Sequence, residues 1–314
     1  DSGYMPFLKT LVDNGASGVL DSTIPAKTPA AWGTFQTGCN PGKTGIFDFI
    51  WFNKETKQNV YSSSASLGLT IWDRLSKAGK SVGVMNVPMT YPPKSVNGII
   101  VTGLPTPSLE SDFTYPSAFK SELLKAVPDY YLFNLEKMQV EFNLNYVQQS
   151  VKKLEQVVAS RTKAGLFLFE KQHFDTFMIH FQANDILQHT FWPYLDQTHK
   201  LFDAKIRDFI FNSFYRTLDR SMQQIYERAF SKYKDFITLV MSDHGFETHT
   251  KRVNLANWLI ENNFTKLSSC ASKISQIKKL TKTFRLGKLV RKFLPESKVL
   301  NIEKSLNLRR ELID

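Results

Sequence analysis

Three features of the sequence predict an α/β architecture, with a central, mostly parallel β-sheet flanked by helices on both faces. Five short apolar runs are rich in β-branched residues and nearly continuous, as strands covered on both faces are. Segments with apolar residues at helical spacing lie between them. The two kinds alternate along the chain, as crossover connections require.

The first segment is an amphipathic helix with Tyr4, Phe7, Leu8, Leu11 and Val12 on one side. "SGVLDST" at 17–23 is the first predicted strand. Thr28-Pro29 then opens a helix, because proline favours the first helical position. The stretch "TGCNPGKTG" at 37–45 ends in Gly42-Lys43-Thr44, like a nucleotide-binding P-loop. It fails that reading. Thr37 stands where the first glycine is needed, no buried strand precedes it, and Pro41 removes a backbone N–H from the cradle.

A helix over 69–79 is predicted to end on Gly79, and strands follow at 81–87 ("SVGVMNV") and 98–103 ("GIIVTG"). Residues 104–140 are richer in Pro, Ser and Tyr and read as a loop-and-helix insert over one sheet edge. Long helices over 146–171 and 201–230 flank the run "FDTFMIHF" at 174–181, and "DFITLVMSD" at 235–243 is the last predicted strand.

Hydrophobic residues make up 42% of the 314 and charged residues 22%, which suits one large or two ordinary globular domains. No apolar run reaches the length of a membrane span and no signal peptide opens the chain. Cys39 and Cys270 form neither a disulfide framework nor zinc-knuckle spacing, so reduced thiols in a cytoplasmic setting are expected. The net charge of +11 is uneven: thirteen Lys or Arg lie between Lys266 and Arg310, with apolar residues at helical spacing among them. That segment is either a solvated basic helix packed by its apolar side or a contact for anionic lipid or nucleic acid. No obligate protein partner is implied.

In open α/β sheets chemistry gathers where strands end. After "FITLVM" come Ser242-Asp243-His244-Gly245, a carboxylate beside an imidazole. Asp243 is either a helix cap or a group that needs a cation. After "FDTFMIHF", Asp185 and His189 stand four apart, on one helical face. Alone, that pair reads as surface helix rather than metal grip, because the pattern is common. Together the two pairs favour zinc or manganese. His249 lies near the second pair, but nothing fixes its orientation. His180, inside an apolar run, reads as a core histidine, and His173 and His199 as exposed helix-end residues. Thr28 either caps its helix or offers a hydroxyl to the positive potential at the helix N-terminus.

The segments "TPAAWGTFQTGCNPGKTGIFDF", "NDILQHTFW" and "SDHGF", in that order, resemble the type I phosphodiesterase/nucleotide pyrophosphatase family of the alkaline phosphatase superfamily, above all its microbial phosphohydrolase or phosphomutase branch. "VGVMNVPMTYPP" and "VNLANWLIENNF" resemble the same branch. The resemblance implies an alkaline-phosphatase-like fold and two divalent metals, usually zinc. It implies Thr28 as nucleophile and ligand of one metal with Asp243 and His244, and Asp185 and His189 as ligands of the other. The implied reaction is hydrolysis of a phosphorylated small molecule or phosphodiester through a phospho-threonine. A phosphomutase or phosphotransferase on the same scaffold, or a non-catalytic protein binding anionic surfaces, are the alternatives.

In the family, one further metal-binding aspartate lies on a strand upstream of "GYMPFLKTL" and one histidine lies well toward the C-terminus. The expectation is therefore a catalytic domain over 1–265 lacking its first strand, then a basic helical segment over 266–314 that precedes a missing C-terminal part. Ala31 stands about where nucleotide pyrophosphatases carry an asparagine, and Thr44 where many relatives carry histidine.

Overall fold

The computed structural model describes residues 3–53, 58–132, 143–248 and 253–264. They fall into two units, the first ending at Thr248 and the second beginning at His249. His249, Cys270, the basic segment 266–314 and residues 133–140 of the insert lie outside the described residues.

The first unit opens with helix α1 (Pro6–Asn14). Met5, before it, supplies no side-chain cap. The backbone N–H groups of Phe7 and Leu8 instead donate to the buried Asp219 carboxylate, at 2.9 Å each. A charge-assisted cap from a residue far along the chain ties the two ends of the unit together.

Helix α2 (Thr28–Thr37) closes on Gly38, whose φ of 69° lets its N–H turn back to the Thr34 carbonyl at 2.8 Å. The single turn α3 (Pro41–Thr44) is capped by the Asn40 side chain and closed by Gly45 at φ 71°. The glycines of the P-loop-like stretch thus serve two helix ends, and Lys43 is exposed.

A separate antiparallel hairpin pairs β1 (Ile50–Asn53) with β2 (Gln58–Tyr61). Helix α4 (Ile71–Lys77) starts on a complete capping box, Thr70 with Asp73.

The main sheet contains β3 (Val82–Met85), β4 (Gly98–Val101), β5 (Thr114–Tyr115) and, later in the chain, β6 (Thr176–Ile179). Its order is β5-β4-β3-β6. β3 is parallel to β4 and to β6, and only the short β5 runs antiparallel. The mixed α/β architecture with a mostly parallel sheet is as the sequence predicts. Alternation within the apolar runs selects the faces. Val82, Val84 and Ile100 pack with Trp32, Leu67 and Trp72 from the α2 and α4 side. Met85, Ile99 and Val101 pack on the other face with Phe113, Leu123 and Leu168.

Helix α5 (Phe119–Ala126) lies within the described part of the insert. The 28-residue α6 (Leu144–Lys171) spans the predicted 146–171 helix. Helix α7 (Ala183–Leu195) follows β6, and α8 (Ala204–Ile210) passes through one wide turn at Phe211–Tyr215 into α9 (Arg216–Lys232). These four helices bury Val151, Leu154, Leu187, Phe191 and Phe214 in a helical core. Among the described residues, no helix is long and apolar enough to cross a membrane.

Two predicted strands are not strands here. Residues 17–23 and 235–243 form no sheet ladder among the described residues. Val19 is 100% exposed and Ile237 97%. Hydrophobicity marks a segment that can be buried, but a strand exists only where a second backbone accepts its hydrogen bonds. In the second unit, α10 (Leu255–Glu261) is capped by Asn254 and followed by Phe264, whose ring stacks on Trp258 at 5.6 Å.

Candidate active site

Thr28 is the first residue of α2 and is half-buried; Lys27, not Thr28, stands at the N-cap position. Thr28 Oγ1 lies 3.3 Å from His244 Nε2. His244 and Asp243 sit just past the unladdered run 236–241. Ser22 holds that turn by donating from its hydroxyl to the Asp243 carbonyl at 2.5 Å. The two unladdered segments therefore meet at the site.

Asp185 is the third residue of α7 and His189 lies one turn on. His189 Nε2 stands 3.4 Å from Asp185 Oδ1, and His244 Nε2 stands 3.7 Å from the same oxygen. His244 Nε2 is also 3.6 Å from Asp243 Oδ2. All five residues singled out in the sequence thus converge, although they come from segments up to 216 positions apart.

These separations are long for hydrogen bonds. Asp185 Oδ1 is buried and has no hydrogen-bond partner. Donor atoms that share a tetrahedral metal at about 2.1 Å stand about 3.4 Å from one another. His244 Nδ1 lies 3.1 Å from the Gly245 carbonyl, to which that nitrogen must donate, and this contact turns Nε2 toward the cluster. The donor chemistry and the orphaned oxygen therefore fit a divalent cation. A closed cage is another matter: among the described residues, no group of three or more His, Cys, Asp or Glu could hold a metal ion by itself.

The electrostatics follow from burial. Desolvation raises the Asp243 carboxyl above its ordinary range, partly opposed by the His244 imidazole. The Asp185 carboxylate holds the His189 imidazole above its usual value. His180 is different. Burial and the Arg161 cation push it down to about 3, its Nδ1 lies 3.1 Å from the Asn86 carbonyl, and its ring meets Trp32 edge-on at 5.1 Å. It is a half-buried histidine held neutral against the core, rather than a fully buried core residue. His173 is exposed, while His199 is half-buried and accepts the Leu201 N–H at 3.1 Å.

Sequence reasoning missed the aromatic wall. Phe246 packs against His189 at 4.7 Å, His244 at 5.5 Å and Trp192 at 5.7 Å. Trp192 lies three residues after His189, so helical spacing could have placed it on the same face.

Fold and cluster together define an α/β protein with a hydroxyl, two imidazoles and two carboxylates gathered from the first turn of α2, the start of α7 after β6, and the turn after the unladdered run 236–241. The chain belongs to the type I phosphodiesterase / nucleotide pyrophosphatase family, which matches residues 1–305. No curated protein matches the sequence. Among solved structures it is similar to phosphonoacetate hydrolase from Sinorhizobium meliloti 1021 in complex with phosphonoformate, with 16% identity and a TM-score of 0.45. That similarity covers 73% of this chain and 49% of the hydrolase, so the chain spans about half of that protein's length.

Proposed function

We propose that this chain carries the nucleophile and much of the metal-binding set of a metal-dependent phosphohydrolase or phosphodiesterase with an alkaline-phosphatase-like fold. One observation carries the reading: Thr28 Oγ1, His244 Nε2, Asp243, Asp185 and His189 form a single cluster, linked at 3.3–3.7 Å. In this reading Thr28, Asp243 and His244 would hold one divalent cation and Asp185 and His189 a second, zinc in preference to manganese because two of the five side-chain donors, one at each cation, are imidazoles. Bound cations supply the positive charge that makes a threonine alkoxide accessible and offsets charge on phosphoryl oxygens.

The chain's own groups do the rest. The first turn of α2 sets the Thr28 hydroxyl in the positive end of the helix dipole, where developing negative charge is stabilised. Thr28 gives its hydroxyl proton to solvent, Oγ1 attacks phosphorus, the Oγ1–P bond forms, and the bond to the leaving oxygen breaks. The leaving oxygen departs as an alkoxide that takes a proton back from solvent. Water then cleaves the Oγ1–P bond and returns the hydroxyl. His244, its Nδ1 proton pinned by the Gly245 carbonyl, keeps Nε2 facing Thr28 in both steps. Phe246 and Trp192 wall one side and hold the exposed His189 ring in place.

The test is turnover of bis(p-nitrophenyl) phosphate by the zinc-loaded chain, with acid-quenched samples searched for a phosphorylated Thr28. Thr28→Ala should lower turnover by about 10³-fold or more and abolish the adduct. Near-full zinc-dependent activity in that variant refutes the assignment.

A further inference from the structure

Arg161 lies on α6 and is 1% exposed, yet it has no carboxylate partner among the described residues. Its Nη1 donates to the His180 carbonyl at 2.9 Å and its Nη2 to the Leu132 carbonyl at 2.6 Å, while Nε has no partner. Burying a guanidinium on two carbonyls is expensive, and an apolar side chain of similar volume often stabilises a core at least as well. Packing alone therefore does not account for an arginine here.

The two carbonyls are informative. His180 is the first residue after β6, and its N–H makes the next bond along the sheet, to Met85 O at 3.0 Å. Gln182, two residues on, starts α7, and Asp185 and His189 follow on that helix. The direction the backbone takes after His180 sets where both side chains land. Leu132 ends the described part of the insert, next to Tyr131, whose N–H donates to Ser160 Oγ at 3.1 Å. Arg161 thus spans the insert and the strand-to-helix junction.

We propose that Arg161 is a positioning residue: by holding the His180 and Leu132 carbonyls together, it aims the start of α7, and hence Asp185 and His189, and couples that aim to the insert. It touches no reacting atom. Its consequence for turnover rests on the functional reading above, whereas its effect on the junction does not.

Native-state amide exchange on the 314-residue chain, as Arg161→Lys and Arg161→Met, tests it. Protection over 180–187 should fall about tenfold or more while that over 218–225 in α9 is kept. A uniform loss over all helices, or unchanged protection over 180–187 in the Lys variant, overturns the proposal. If the Met variant does not fold, the Lys variant decides alone. With bis(p-nitrophenyl) phosphate and zinc, kcat should fall about tenfold with KM within about twofold. A raised KM at unchanged kcat contradicts it. If Thr28→Ala leaves turnover intact, the hydrolase reading fails and the exchange pattern still judges Arg161.

Discussion

Two apolar runs of similar composition, 174–181 and 235–243, each lead to an Asp/His pair, yet their surroundings are opposite. The first contains β6, laddered in parallel to β3, with Phe174 buried among Phe169 and Phe177. The second has no ladder among the described residues, and Ile237, Leu239 and Val240 are 97%, 76% and 50% exposed. Both still deliver their pairs to one cluster. A ladder and a helix core place Asp185 and His189. Side-chain ties place Asp243 and His244: Ser22 on the Asp243 carbonyl, Thr28 beside His244, and, at the far end, the Tyr233 hydroxyl accepting the Phe174 N–H at 2.9 Å. A site can be assembled from one segment held by its backbone and one held by its ends.

Four measurements break or sharpen that contrast. The largest effect is expected at the tied segment's end. His244→Ala removes the nitrogen facing Thr28, and turnover should fall about 10²–10³-fold, with unfolding nearly unchanged. An equal loss of thermal stability would mean that the pair serves the fold instead. Leu187→Ala, in the fully buried core behind α7, should cost about 2–5 kcal/mol in denaturant unfolding. A cost under about 1 kcal/mol would show that the helical core does not hold the first pair.

A pH effect comes next. Burial, with Arg161 nearby, holds His180 at about 3, below its unfolded value near 6.5. Between those values the unfolded chain binds a proton that the native chain refuses, so stability falls as pH drops below about 6.5. At pH 5 the loss should be about 2 kcal/mol, and His180→Phe should remove that slope. A slope that persists in the variant assigns it to other groups. The smallest effect is expected on the exposed run. Leu239→Ser should change stability by less than about 0.5 kcal/mol. A cost above about 1.5 kcal/mol would show that Leu239 is covered in the folded chain.

Much of the fold was legible. The continuous runs at 81–87 and 98–103 became β3 and β4 because both faces of each are covered, and periodicity located α6 and the long α8–α9 stretch to within a few residues. The runs at 17–23 and 235–243 misled, because apolar content reports a tendency to be buried and carries no information on which backbone will pair. The Asp219 cap on α1 was illegible for a related reason. Capping rules look a few residues along the chain, and this cap comes from 212 residues away.

The sequence by itself determined the α/β class, the family and the chemical types of the five clustered residues, since these depend on side-chain identity and short-range spacing. Only the tertiary structure decided that the buried Asp185 Oδ1 faces two imidazoles without a hydrogen-bond partner, that Phe246 and Trp192 wall the cluster, and that a buried arginine bridges the insert to the start of α7. Those facts are distances between residues remote in sequence. They are set by how the whole core packs, which no local pattern encodes.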